Sequence, residues 1–323
     1  MNADNLSLKP GTRLENYVIS HKMGGGGFSI VYLAEEPDSG QKVVIKEYMP
    51  RKLASRGEDG MTVQTLEDGF VEQFSLGRKM FFQEANTLAD LKHPNIVNVI
   101  NFFRANDTVY MVMAYEKGVN LQDYIKRHKG SLSEKLLYTV FVPLLDGLRL
   151  IHSHGLLHLD IKPGNIYLRE GAKPLLLDFG AVHEMQQSRQ YQPGQVLTLG
   201  FCPVEQSMVG GYVGPWSDLY AIGATMRACI DGESPPPAEQ RRMKDTMRPA
   251  REAFRKHYSA RLLATIDWAM EVDPIYRPQS VDAMLDAMLH GKGLPENPVE
   301  ESEDSSVLGR LANRLAWLKG GER

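Results

Sequence analysis

Four consecutive glycines, Gly24-Gly25-Gly26-Gly27, most limit how this chain can fold. They stand between two β-branched and aromatic runs, Tyr17 to Ser20 and Ile30 to Ala34, and not between a strand and a helix. That context argues against a dinucleotide fold, whose glycine-rich turn opens into a helix, and for a hairpin with a tip of bare backbone. Such a tip lets amide N–H groups come close to a phosphate. Alone, the run reads more readily as a plain flexible turn.

The surrounding pattern extends the hairpin. Pro37-Asp38-Ser39-Gly40 is turn-like and leads into a third strand, Lys42 to Glu47. Phe81 to Leu91 has helical spacing, with Phe82, Ala85, Leu88 and Ala89 on one face. Strand chemistry returns over Ile96 to Phe103 and Thr108 to Tyr115. After Gly118 the character changes. Ser131-Leu132-Ser133-Glu134 resembles a capping box ahead of an apolar helix reaching about Ser153, with a kink expected at Pro143. Further helices are expected over Trp216 to Ile230, Arg261 to Val272 and Ser280 to Leu289. The sheet-rich to helix-rich switch near Gly118 marks a lobe boundary.

The 323 residues suffice for two packed lobes. A net charge of −3 gives no global reason to expect a nucleic-acid partner. Two cysteines, Cys202 and Cys229, form no disulfide framework and point to a reducing compartment. The first ten residues lack the apolar core of a signal peptide, and no uninterrupted apolar run reaches bilayer length, so a cytoplasmic location is expected.

Val43-Val44-Ile45-Lys46 ends an apolar strand on a lysine, whose buried ammonium would need a partner; Glu84 on the predicted helix can supply it. In isolation such a lysine is usually a snorkelling surface residue. The decisive segment is His158-Leu159-Asp160-Ile161-Lys162-Pro163-Gly164-Asn165, followed by Leu175-Leu176-Leu177-Asp178-Phe179-Gly180. Together these resemble the catalytic loop and magnesium-binding motif of the eukaryotic-like (Hanks-type) bacterial serine/threonine protein kinases. The motifs run in the family's order from about Tyr17 to Leu289.

The resemblance implies an α+β fold with a small sheet-rich N-lobe (17–113), a hinge (114–118) and a larger helical C-lobe (119–290), after an N-terminal extension (1–16). It implies ATP as phosphoryl donor, Mg²⁺ with Mn²⁺ as a possible substitute, and a protein as acceptor. Asp160 would be the catalytic base, Lys162 would neutralise the transferring phosphate, and Asn165 and Asp178 would hold metal. Lys46, held by Glu84, would meet the α- and β-phosphates. Gly24, Gly25, Gly26, Gly27, Phe28, Val31, Val44, Met113, Ala114, Glu116 and Tyr167 would form the nucleotide site, with Met113 as gatekeeper. Adenine would bond the Ala114 carbonyl and the Glu116 amide. Phe179 would pack under the Glu84 helix beside Gly180. Glu205, in Pro203-Val204-Glu205, would pair with Arg277, and Asp218 would brace the catalytic loop. Thr198 aligns with a threonine that touches Asp160 and Lys162 in serine/threonine-specific kinases.

Several positions depart from the family. Ser29 replaces the third loop glycine, and Val44 and Tyr167 are larger than usual, so a tight nucleotide slot is expected. Leu159 stands where the family has an arginine that reads an activation-loop phosphate, so that phosphate is not expected to be the main switch. Arg51 to Gly77 is an insertion, expected to hold a hairpin near Asp59-Gly60 and to be mainly surface elaboration. Gly291 to Ser306 reads as a linker. The 307–323 tail reads as an amphipathic helix with Leu308, Leu311, Leu315 and Leu318 on one face, docking on the C-lobe or alternatively on a partner or a membrane surface. The alternative functional class is a pseudokinase scaffold that binds nucleotide without transfer; a small-molecule phosphotransferase is a third, disfavoured by Lys162, Thr198 and Arg277.

Overall fold

The computed structural model describes residues 6–178, 183–184, 198–208 and 211–295. Phe179, Gly180, most of the 291–306 linker and the 307–323 tail lie outside the described residues.

The chain begins with β1 (Arg13–Leu14), β2 (Tyr17–Gly25), β3 (Ser29–Glu36) and β4 (Gln41–Tyr48). A short hairpin, β5 (Ala54–Arg56) and β6 (Val63–Thr65), precedes helix α1 (Val71–Asp90), then β7 (Val99–Ala105) and β8 (Thr108–Ala114). The main sheet is antiparallel in the order β1-β2-β3-β4-β8-β7. Period-two burial sets its faces: in β3, Ile30, Tyr32 and Ala34 are buried while the residues between them are not. β1 pairs with β2, and Leu8 and Leu14 join the core, so Tyr17 is not a structural boundary.

Helix α1 is the largest difference from expectation. It begins at Val71, ten residues before the expected Phe81, and so takes in the last part of the 51–77 insertion. Gly77 and the polar residues around it hide its first turns from a periodicity reading. The expected strand at Ile96 also starts late, at Val99. Just before it, Asn95 and Val97 spend their backbone groups on Leu176, which accepts from the Val97 N–H at 3.0 Å and donates to the Asn95 carbonyl at 2.8 Å.

The C-lobe follows with β9 (Gly118–Asn120), α2 (Leu121–His128), α3 (Glu134–Ser153), β10 (Leu156–Leu157), β11 (Ile166–Arg169), β12 (Pro174–Leu176) and β13 (His183–Glu184). Then come α4 (Val204–Ser207), α5 (Pro215–Asp231), α6 (Ala238–Met243), α7 (Ala250–Ala253), α8 (Ala260–Ala269) and α9 (Val281–His290). Small sheets β12-β11-β9 and β10-β13 carry the connections between the helices. Residues 217–230 of α5 are buried all round, as expected of a helix at the centre of a lobe.

The start of α3 corrects the capping-box reading. Ser133, not Ser131, caps the helix by accepting the Leu136 N–H. Ser131 has φ 55° and donates its N–H to the Ile230 carbonyl, so it cannot serve. Glu134 instead accepts from the Ser259 N–H at 2.7 Å and its hydroxyl at 2.6 Å, tying the start of α3 to the cap of α8. The helix runs as one element from Glu134 to Ser153 with Pro143 inside it. By length and composition α3 is apolar enough to cross a membrane, although Asp146 and Arg149 interrupt its apolar run, and its apolar face lies in the core beside α5, α9 and β12.

Arg277 fastens the lower lobe. Its side chain is fully buried, meets Glu205 at 2.7 and 3.1 Å, donates to the Glu271 and Val272 carbonyls, and stacks on Tyr220 with the guanidinium 4.7 Å from the ring centre. Ser217 donates to the same Glu205 carboxylate at 2.7 Å. Arg277→Ala leaves that carboxylate buried without its cation and is expected to lower unfolding free energy by about 3–5 kcal/mol, measured by urea titration.

Candidate active site

The glycine tip joins β2 to β3, as the sequence suggests. A Cβ on Gly24, Gly26 or Gly27 would meet nothing within 4 Å, so this stretch has open space beside its backbone. Gly25 differs, because a Cβ there would lie 2.7 Å from the Ser29 carbonyl oxygen. Phe28 at the tip is 44% exposed. Val31 faces Lys46 across the ladder, and Val44 lies between Leu33 and Met113. Ala114 ends β8 with its N–H on the Asn98 carbonyl, and the Glu116 carboxylate meets Arg169 at 3.4 Å. Tyr167, on β11, donates its hydroxyl to the Gly118 carbonyl at 2.8 Å, which anchors the large ring at the hinge exit.

Lys46 sits on β4 and Glu84 on α1, and the two approach to 3.5 Å. Asp178 takes the same ammonium at 2.6 Å. Burial alone would lower the Lys46 pKa, but the charges of Asp178 and then Glu84 outweigh it and raise it. Lys46 in turn holds the Asp178 carboxyl below its usual range. Glu84 goes the other way: burial pushes it up to about 7, against the pull of Lys46 and with a further push from Asp178.

Asp160 is the centre of the second cluster. Lys162 donates to its two carboxylate oxygens at 2.9 and 2.8 Å and to the Thr198 hydroxyl at 2.9 Å. The Thr198 hydroxyl also reaches Asp160, at 3.3 Å. Asn165 spends its amide nitrogen on the Asp160 backbone carbonyl and carboxylate, at 2.8 and 2.9 Å, which leaves its amide oxygen for another partner.

Asp218 supports the loop from below. Fully buried on α5, it accepts the His158 N–H at 2.9 Å, the Leu159 N–H at 2.8 Å and His152 Nε2 at 2.8 Å. Burial pushes its carboxyl up, but the hydrogen bond and charge of His152, with His158, overcome that and lower it. Leu159 adopts φ 56°, a left-handed conformation that is unfavourable for leucine. Gln206 fixes the other side of that peptide by donating to the Leu159 carbonyl at 2.6 Å. The Leu159 side chain packs with Leu157 and Val213 in a small apolar cluster of its own.

His158 is fully buried, and burial lowers its pKa. A neutral ring fits its surroundings: Nε2 donates to the Leu177 carbonyl at 3.2 Å, and Nδ1 accepts the Asp160 N–H at 3.3 Å. This imidazole links the Asp160 loop to the segment carrying Asp178. The parts played by His152, Gln206 and Ser217 were not anticipated from sequence; Gln206 directly follows the recognised Glu205 and Ser217 directly precedes the recognised Asp218, while His152 had no motif to flag it.

The protein kinase domain family matches residues 17–290. This chain belongs to that family. The kinase fold is shared with a solved structure, the apo form of PpkA-294, at a TM-score of 0.79 and 34% identity, covering 88% of this chain and 99% of that one. Among curated proteins, it is 30% identical over 286 residues to serine/threonine-protein kinase D of Synechocystis, covering 85% of this chain and 52% of that protein. It is 29% identical to serine/threonine-protein kinase PknA of Nostoc, covering 85% of this chain and 47% of the relative. The kinase domain here therefore spans about half the length of these relatives.

The Glu84 shift has a consequence for stability. Its folded pKa lies above the ordinary glutamate value, so between the two the folded state keeps a proton that the unfolded chain has lost. Stability from this group is full below the ordinary value and is lost as pH rises through about 7. Glu84→Gln removes the titration, so its thermal midpoint relative to wild type is expected to rise between pH 6 and pH 8, as followed by scanning calorimetry.

Proposed function

We propose that this chain transfers the γ-phosphate of ATP to serine or threonine hydroxyls of a protein. The observation that carries the reading is the contact set of Asp160, Lys162 and Thr198, in which a carboxylate, an ammonium and a hydroxyl meet within 3.3 Å. Phosphoryl transfer asks the protein mainly for positioning and for charge stabilisation. In this reading Asp160 orients the acceptor hydroxyl and takes its proton. Lys162 stays beside that carboxylate and faces the charge on the moving phosphoryl group. Thr198 holds both side chains in register with the acceptor.

The donor set suits Mg²⁺, a hard cation that takes oxygen ligands. Asn165 offers the amide oxygen left free by its bonds to Asp160, and Asp178 offers the carboxylate oxygen that Lys46 does not take. Bound there, Mg²⁺ supplies neutralising charge to the phosphate oxygens. Lys46, aligned by Glu84, holds the α- and β-phosphates, the glycine tip covers the chain of phosphates, and the Ala114 carbonyl and Glu116 N–H receive the adenine edge.

Leu159 supports control without an activation-loop phosphate. Its contacts with Leu157 and Val213 occupy the side chain that an arginine would devote to a phosphate. The Gln206 bond to its carbonyl and the Asp218 bond to its N–H hold the loop from both sides.

The test uses the purified, phosphatase-treated chain with labelled ATP, Mg²⁺ and a generic protein acceptor. Wild type is expected to label serine and threonine, and Asp160→Asn to lose at least about 10²-fold in rate while still binding ATP. ATP binding without transfer by wild type would favour a nucleotide-binding scaffold. A Ser188→Ala/Tyr191→Phe double variant, lacking the hydroxyls from 188 to 197, is expected to keep wild-type turnover; abolished turnover would refute phosphate-independent control.

A further inference from the structure

The 51–77 insertion leaves the end of β4, the strand carrying Lys46, and returns as the first turns of α1, the helix carrying Glu84. Strand alternation puts Lys46 and Tyr48 on one face of β4 and Glu47 on the other. The insertion engages both faces.

On the Glu47 face, Arg56 at the end of β5 reaches the fully buried Glu47 carboxylate with two nitrogens, at 2.7 and 2.6 Å. Tyr32 and Tyr110 donate to the same carboxylate at 2.7 and 2.9 Å. Arg56 also donates to the Leu6 carbonyl at 3.0 and 2.6 Å and to the Met61 carbonyl at 2.8 Å, so one guanidinium gathers the N-terminal segment, the insertion and the sheet. Between β4 and this hairpin, the Met49 N–H bonds the Phe28 carbonyl at 2.8 Å and the Arg51 N–H bonds the Gly27 carbonyl at 2.9 Å. The glycine tip is thereby tied to the beginning of the insertion.

On the opposite face, the Tyr48 ring is held by Phe74 and Phe81 of α1, with centroids 5.5 and 5.8 Å away. The Lys46 ammonium lies 5.3 Å from the Phe81 ring centre. Gly77, between these aromatics, lets the helix backbone lie against the Tyr48 phenol: a Cβ there would overlap the hydroxyl and come within 2.8 Å of the carbon that bears it. Glycine is unfavourable inside a helix, and this close approach explains its presence.

We propose that the insertion is an internal brace for the active site: Arg56 fastens its hairpin to β4, Gly77 seats α1 against Tyr48, and as positioning residues the two keep Glu84 on Lys46 with no phosphate required. The proposal rests on the kinase reading for its effect on turnover, but the brace itself is a matter of how firmly α1 is held.

The experiment compares full-length wild type, Gly77→Ala, Gly77→Ala/Tyr48→Phe and Arg56→Lys. Amide hydrogen exchange over residues 78–90 and over the glycine tip is read alongside kcat and KM for ATP. Were Gly77 an ordinary helical position, alanine would strengthen the helix and slow its exchange. The brace predicts the reverse: faster exchange in Gly77→Ala, kcat lower by about tenfold or more, KM for ATP changed much less, and partial recovery when Tyr48→Phe removes the overlapping oxygen. Arg56→Lys keeps the charge but loses the two-nitrogen grip, and it is expected to loosen the same segment to a smaller degree. Unchanged exchange in both single variants would overturn the brace, as would a double variant no better than Gly77→Ala. Faster exchange with wild-type turnover would overturn the positioning role. Faster exchange in a protein whose wild type transfers no phosphate would uphold the brace and refute the kinase reading.

Discussion

The carboxylate of Asp218 is the point on which the rest of the site depends. It lies on α5, a helix buried on every side, and accepts two successive backbone N–H groups from His158 and Leu159. Those two bonds hold Leu159 in a left-handed conformation that a leucine adopts only under constraint. The turn they create sets the direction of Asp160, and Lys162, Asn165 and Thr198 then arrange themselves around it. His158, pinned in the same turn, carries the constraint to Leu177 and so to Asp178. A rigid helix thus determines the geometry of two chemically distinct clusters through one acidic side chain.

Much of the fold was legible because its signals are local. The hairpin around the glycines, the third strand, the 54–65 hairpin and the long C-lobe helices all lie where periodicity and turn residues put them. Where the reading failed, a tertiary contact had overridden the local one. The first half of α1 was invisible because Gly77 answers to Tyr48, not to the helix. The Ser131 cap was wrong because the backbone of that residue is committed to α5 through the Ile230 carbonyl. α2 went unnoticed, although Asn120 marks its start by accepting the Gln122 N–H.

In the candidate site, pairs of charged residues were readable through their motifs. Lys46 with Glu84 and Glu205 with Arg277 are brought together as the resemblance implied. Asp218 was readable in the same way, as the residue that braces the catalytic loop. The residues that support these groups were not: His152 and Ser217 act on the carboxylates of Asp218 and Glu205, 66 and 12 residues away, and Gln206 acts on a backbone carbonyl, which leaves no residue-specific trace. Long-range contacts to the main chain are set by the fold and become visible only with it.

The apolar contact of Leu159 with Leu157 and Val213 has a consequence of a different kind. An arginine–phosphate latch weakens as salt screens it, and a phosphatase can open it. A leucine packed against another leucine and a valine is held by exclusion of water, an attraction with no charge to screen that strengthens on warming from the cold. The contact also offers a phosphatase nothing to remove. On the control proposed here, a join made once, when the lobe folds, would stand in for a reversible covalent mark.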